Sequence, residues 1–274
     1  MIITVVGLGL IGGSFCKAIK RKTEHTCLGL DINSDVIKSA LEHNAIDGIS
    51  TDLSESDLTI VCLYPEATID FLVSTAGKFK KGSIVIDACG IKKAIVNKVT
   101  IPLLNNDVTF IGAHPMAGRE FSGFEYSLHN LFDNASFILT PNENTPEEKT
   151  NTIVDFAKEL SFKKIVITTP EEHDRIIAYT SQLAHVVSNA YIKSPTLSKQ
   201  LGFSAGSFKD LTRVARLNED MWTSLFMQNK EPLLFEINEI IENLTKYKIA
   251  IEKDDSNELK ELLKVGRILK EQTI

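Results

Sequence analysis

A chain of 274 residues, 43% of them hydrophobic, has enough material for a sizeable core, and at roughly 100–200 residues per domain it predicts two domains. Its formal charge of −6, with no long basic run, argues against a nucleic-acid partner, whose phosphates call for a positive face. No apolar run approaches the ~18 residues of a membrane helix, and the N-terminus lacks the basic region of a signal peptide. Cys16, Cys27, Cys62 and Cys89 lie in or beside apolar runs without the spacing of a zinc site or a disulfide frame. The expectation is a cytoplasmic protein with reduced thiols, no metal and no membrane contact.

The chain opens on a β-type run, residues 2–6, followed by Gly7-Leu8-Gly9-Leu10-Ile11-Gly12-Gly13-Ser14 and a helical segment. In a G-x-G-x-x-G turn the first glycine permits the tight bend, the second lets backbone approach a pyrophosphate, and the third lets helix and strand pack closely. Leu10 and Ile11 open the helix, whose unpaired N–H groups and dipole favour phosphate. A second apolar run, 26–30, ends in Asp31, 19 residues after Gly12, where a carboxylate suits the two ribose hydroxyls of an adenosine and repels a 2′-phosphate. Ile32, Asn33 and Ser34 follow, with no arginine, so NAD is expected rather than NADP. Three glycines in six positions also serve ordinary turns; the strand before, the helix after and the acid at the next strand end favour the cofactor site.

Beyond Asp31 helical and strand periods alternate, as in βαβ units of a parallel sheet. Residues 35–43 and 69–79 have helical character, and 58–63, 83–87 and 109–113 read as buried strands. Ligands bind outside the carboxyl ends of such strands. Leu63 and Pro65, Cys89 and Gly90, and His114 should therefore rim one crevice around the nicotinamide end of the cofactor. Two further strands, 136–140 and 164–168, flank a helix opened by Pro146 and complete the sheet. The pattern changes near Pro170. These features predict an α/β Rossmann dinucleotide-binding domain over 1–169 and an all-helical domain over 170–274.

His114 fits two roles by position alone. A neutral imidazole accepts a proton from a hydroxyl as hydride leaves the same carbon, or the ring caps a strand end. In the second half, Thr169-Pro170-Glu171-Glu172 starts a helix with a hydroxyl cap, proline and acids. Its spacing sets Ile177, Ser181, Ala184 or His185, and Ser188 along one face, so that His185 lines a pocket or, like His173, merely packs. After a break at 202–206, Asp210 and Arg213 form either a local surface pair or a carboxylate-binding fork with a supporting acid. Pro232 should kink or restart the helix carrying Trp222. Leu234, Ile237, Ile241, Leu244 and Ile251 then make a stripe so broad that the helix must be buried. A last helix occupies about 256–272.

The runs Gly7 to Ser14 and Gly112-Ala113-His114-Pro115-Met116-Ala117-Gly118 resemble those of the prephenate dehydrogenase family, which includes arogenate dehydrogenases. Glu172-His173-Asp174, Ser181-Gln182-Leu183-Ala184-His185, Phe208-Lys209-Asp210-Leu211-Thr212-Arg213-Val214-Ala215, Met221-Trp222 and Asn229-Lys230-Glu231 match its second-domain motifs, in order and over nearly the whole chain. The resemblance implies that His114 is the catalytic base or hydrogen-bond acceptor for the ring hydroxyl and that Arg213 holds a substrate carboxylate, with Asp210 in support. It implies that His185 lines the substrate pocket, that Glu120 gates or polarises its entrance, and that the substrate-binding Trp222 comes from, or reaches toward, the neighbouring subunit. It further implies a homodimer built on the helical domain. Two positions depart from the pattern. Gly90 stands where members often have a serine that binds the substrate hydroxyl, so that Cys89 or a water supplies that contact or the contact is missing, and Gln182 stands where many have histidine. No regulatory domain of the amino-acid-binding type is expected after the last helix, so tyrosine feedback would act in the substrate pocket.

The activity so implied is oxidative decarboxylation of prephenate to 4-hydroxyphenylpyruvate with NAD. Arogenate is the alternative substrate, because the choice turns on a keto or amino group that the sequence does not resolve. Two rivals remain open: another dehydrogenase or imine reductase of the same architecture, which product analysis separates, and a non-catalytic NAD-binding sensor, which would bind NADH without turnover.

Overall fold

Ile2–Val6 (β1) is buried along nearly its whole length, the pattern of a central strand covered by helices on both faces. The computed structural model, which describes residues 1–273, places it there. Around it run α1 (Leu10–Lys22), β2 (Thr26–Leu30), α2 (Ser34–Glu42), β3 (Gly48–Ile49), β4 (Leu58–Val61), α3 (Pro65–Thr75), β5 (Ile84–Asp87), α4 (Lys93–Leu104), β6 (Thr109–Pro115), β7 (Ser136–Thr140), α5 (Glu147–Glu159) and β8 (Lys164–Ile167). The sheet has the order β3-β2-β1-β4-β5-β6-β7-β8. All neighbours are parallel except β6 and β7. The first six strands thus have the dinucleotide-binding order, and the connections reverse direction between β1 and β4, where a ligand crevice opens.

Side chains of a strand alternate between faces, and the core divides accordingly. Ile3, Val5, Ile60, Ile86 and Ile111 pack with Phe15, Phe137 and Phe156 on one face. Val6, Val61, Val85 and Phe110 pack with Leu72, Val99 and Leu103 on the other. The helix α4 had no counterpart in the sequence reading. Its run of Ile95, Val96, Val99, Thr100 and Ile101 is β-branched and Pro102 lies inside it, so local propensity hides it, while burial of Ile95, Val99 and Leu103 holds it. The two-residue β3 is too short to have left a pattern.

The helical half comprises α6 (Pro170–Ile177), α7 (Leu183–Tyr191), α8 (Gly206–Thr212), α9 (Glu219–Gln228), α10 (Lys230–Glu252) and α11 (Ser256–Glu271). Thr169 caps α6 as its sequence predicts, its hydroxyl accepting from the Glu172 N–H at 3.2 Å. Between α6 and α7 the residues Ala178–Gln182 form a π turn. The extra residue rotates the second half of the helix, so Gln182 is buried and Ala184 is not, unlike the single face expected from a uniform period. Pro232 falls in the first turn of α10, after Asn229 has ended α9, so it restarts the helix as expected.

The described residues form two compact units, one running from Met1 to Asn229 and the other beginning at Lys230. In the second, the Tyr247 hydroxyl on α10 donates to the Leu262 carbonyl on α11. Of the stripe that was expected to be buried, four residues are exposed in the single chain, Leu234 by 46%, Ile241 by 55%, Leu244 by 60% and Ile251 by 61%, while Ile237 is partly buried. Among the described residues no helix is long and apolar enough to cross a membrane.

Candidate active site

The turn after β1 is built as its glycines predict. Gly7 has φ of +82°, and a Cβ there would meet the Cys62 carbonyl oxygen and Leu63 Cδ2, each at 2.7 Å. A Cβ on Gly12 would collide with the Gly7 carbonyl. Gly9 is different: a Cβ there meets nothing within 4 Å, so packing alone does not require a glycine at this position. Gly9 is also the N-cap of α1, with no side-chain cap and no acid in the first turn. The first N–H groups of α1, those of Leu10 and Ile11 among them, thus have no capping side chain at the positive end of the helix dipole. Asp31 at the end of β2 accepts from the Leu8 N–H at 2.7 Å and the Asn33 N–H at 2.8 Å, which fixes its carboxylate beside the turn. Leu63 follows β4, and Pro65 opens α3. An open backbone cradle, an uncapped helix start and a fixed carboxylate fit a dinucleotide.

At the carboxyl ends of β5 and β6 the chain builds a polar cluster. His114, partly buried on β6, has Nδ1 2.9 Å from His173 Nε2 on α6. His173 Nδ1 is 2.7 Å from Asp174 Oδ1. The Asp174 carboxylate also accepts the backbone N–H groups of Lys92, at 2.7 Å, and Lys93, at 2.9 Å, and so caps α4. Lys92 is wholly buried and pairs with Asp87, whose side chain is equally buried, and it donates to the Ala113 carbonyl at 2.7 Å. Asp87 in turn accepts the Ala113 N–H at 3.0 Å, so the residue preceding His114 is held through both its N–H and its carbonyl. Burial, with His173 and the Lys92 cation nearby, holds the His114 pKa well below the ordinary imidazole value. His173 is lowered by burial too, although its bond to Asp174 opposes the shift.

Gly90 lies beside this cluster: a Cβ there would stand 3.8 Å from His114 Nε2 and 3.6 Å from Leu225 Cδ2, in ordinary contact. The side chain of Cys89 is engaged elsewhere. Its thiol is buried under the strand ends, donates to the Leu63 carbonyl at 3.3 Å and lies 3.4 Å from Thr68 Oγ1, while burial and Asp87 push it up to about 12. Gln182, in the π turn, accepts from the Asn229 amide at 2.8 Å, and that amide also donates to the Asp174 carbonyl at 2.9 Å. The sequence reading did not single out Asp87, Lys92 or Asn229 for the site. Their only signals were an acid ending a buried strand, a lysine close behind it, and the Asn-Lys-Glu motif.

Other site candidates group elsewhere. His185 donates through Nδ1 to the Ser181 carbonyl, 2.9 Å away, and stacks on Trp222 of the same chain with ring centres 3.7 Å apart. Burial and the charge of Arg213 lower its pKa. Arg213 opens a 3-10 turn after α8 and pairs with Glu120 at 2.6 Å. Asp210 is exposed on α8, and among the described residues no ion pair joins it to Arg213. Glu120 is held below the usual carboxylate range by a hydrogen bond to its own backbone and by Arg213.

A mostly parallel sheet of this order with an open glycine turn, and a neutral histidine on β6, defines a dinucleotide-dependent dehydrogenase fold with a helical second domain. Residues 15–175 match the family model "Prephenate dehydrogenase, nucleotide-binding domain", and residues 169–265 match "Prephenate dehydrogenase, dimerization domain". The chain belongs to the prephenate dehydrogenase family. It is 31% identical to the prephenate dehydrogenase of Lactococcus lactis over 98% of this chain and 76% of that protein. Among solved structures it resembles prephenate dehydrogenase from A. aeolicus in complex with hydroxyphenyl propionate and NAD+, with a TM-score of 0.89 and 28% identity over 100% and 99% of the two chains. Synechocystis arogenate dehydrogenase gives a TM-score of 0.84 and 27% identity over the whole of both chains.

Proposed function

We propose that this chain oxidatively decarboxylates prephenate to 4-hydroxyphenylpyruvate in tyrosine biosynthesis, with NAD as cofactor. The observation that carries the reading is the buried-side hydrogen bonding of His114, which leaves a neutral ring at a strand end of the crevice beside Gly90, in a chain matched by both family models. NAD, when bound, supplies the hydride acceptor for the ring carbon that bears the hydroxyl. Gly7, Gly9 and Gly12 with the N–H groups of Leu10 and Ile11 hold its pyrophosphate, Asp31 its adenosine ribose, and Leu63 and Pro65 line the way to the crevice. His114 takes the hydroxyl proton as hydride departs and returns it to the oxygen as carbon dioxide leaves and the ring becomes aromatic. Aromatisation makes the chemistry downhill, so the protein's task is to position the reactants.

Arg213 binds a substrate carboxylate. Its present partner Glu120 is displaced readily, because exposed ion pairs contribute only about 0–1 kcal/mol. His185, stacked on Trp222, walls the pocket, with Asp210 in support, and Gly90 leaves room for a water beside the hydroxyl. Residues 1–169 act as the cofactor domain and 170–274 as the substrate and dimerisation domain, the chain working as a homodimer in the cytoplasm. The test is NADH or NADPH formation, followed by absorbance, with prephenate or arogenate and either NAD or NADP. Turnover of prephenate with NAD is expected. Turnover with arogenate alone would transfer the assignment to that substrate, as the likeness to the Synechocystis enzyme allows. Binding of NAD without turnover of either would replace it with a non-catalytic NAD-binding role.

A further inference from the structure

An imidazole serves as a base through one nitrogen only, and which one is free depends on the proton carried by the other. At His114 the neighbours decide this in a chain of single choices. The Asp174 carboxylate is an acceptor only, and it is fixed as a carboxylate by the N–H groups of Lys92 and Lys93 at the start of α4. The proton between Asp174 and His173 therefore sits on His173 Nδ1. A second proton on His173 would place a charge in a site shielded from water and close to the Lys92 cation. Neutral His173 then presents the lone pair of Nε2, which accepts from His114 Nδ1–H at 2.9 Å. His114 Nε2 is left as the free acceptor, and it is the nitrogen nearest Gly90.

We propose that His173, clamped by Asp174, is a positioning residue that fixes His114 as the Nδ1–H tautomer and aims its Nε2 lone pair at the substrate hydroxyl. Lys92 sets the frame for both rings. Its ammonium grips the Ala113 carbonyl just before His114, while its backbone N–H grips the Asp174 carboxylate just after His173. One buried residue thus ties the strand end that carries the base to the helix that carries the orienting ring. When His114 takes up the proton on Nε2, its Nδ1–H still points at a neutral acceptor, so the imidazolium is stabilised without a second proton transfer.

The inference rests on the assignment of His114 as the base, and the test separates the two. The variants are His114→Asn, His173→Phe, which keeps the shape of a flat ring but removes both hydrogen bonds, and His173→Gln, which restores an acceptor near the position of Nε2. Steady-state kinetics are measured beside NAD affinity and thermal melting, and 15N NMR of ring nitrogens is recorded on the NAD-bound wild type. The expected results are a pyridine-like Nε2 and a protonated Nδ1 for His114, a loss of kcat on the order of 100-fold in His173→Phe, little change in KM or NAD affinity, and substantial recovery in His173→Gln. A folded His173→Phe variant with wild-type kcat, or a wild-type spectrum with the proton on His114 Nε2, overturns the positioning role while an inert His114→Asn leaves the base assignment standing. If Phe and Gln are equally impaired in melting and NAD binding, His173 is structural and the inference falls. A fully active His114→Asn removes the base assignment, and with it the catalytic role of His173, whatever tautomer the spectrum shows.

Discussion

At the scale of single residues the site is governed by protonation. His114, His173 and His185 are all lowered by burial, so each is neutral in the folded chain near pH 7, as a proton acceptor must be. The same shifts fix the direction of the pH dependence. Below about 6.5 the unfolded chain takes up protons on these rings that the folded chain does not. Stability attributable to them is therefore complete above that value and declines as the pH falls through it. Melting temperature should be level between pH 7 and 8 and fall toward pH 5, with a shallower fall in His114→Asn. A melting temperature that rises on acidification through this range would contradict the shifts. His114 itself was legible from the sequence, because a histidine at a strand end in that crevice is chemically conspicuous. His173 was legible only as a motif member, since its partner lies 59 positions away.

At the scale of elements, the glycine turn separates two kinds of requirement that the sequence pattern merges. Gly12 is required by the fold, because a Cβ strikes the Gly7 carbonyl. Gly9 is not required by the fold, since its Cβ position is empty and its φ of −68° suits any residue. Gly12→Ala should lose about 1–3 kcal/mol of stability, the usual effect of overpacking. Gly9→Ala should melt within about 0.5 kcal/mol of wild type yet bind NAD more weakly in calorimetry. Equal NAD affinity in Gly9→Ala would mean that the turn does not approach a pyrophosphate. The π turn shows the converse limit. A period of 3.6 extrapolated through 178–182 put Ala184 or His185 on one face with Ile177, whereas the π turn there brings Gln182 into bonding with Asn229.

At the scale of the molecule, the exposed stripe on α10 and the apolar positions Leu263, Val265 and Leu269 on α11, each more than half exposed, make a surface too apolar for solvent. In a segment matched by a dimerisation-domain model, a second copy is the expected cover. Replacing both Ile241 and Leu244 with Glu should convert a dimer to a monomer in sedimentation and make activity depend on protein concentration. A wild-type chain that sediments as a monomer at micromolar concentration would refute the dimer.

The sequence by itself determined what is written within a few residues of chain: strand and helix periods, the glycine turn and the acid that follows it, the helix caps, and the positions able to do acid–base chemistry. These depend on backbone geometry and on hydrogen bonds between near neighbours. The tertiary structure alone decided what depends on how elements cross. It set His173 against His114, paired Arg213 with Glu120, 93 positions away, rather than with Asp210, and sank the Asp87–Lys92 pair into the interior. Side chains that meet across a sheet edge have no local period to announce them, because their proximity is set by the packing of whole elements.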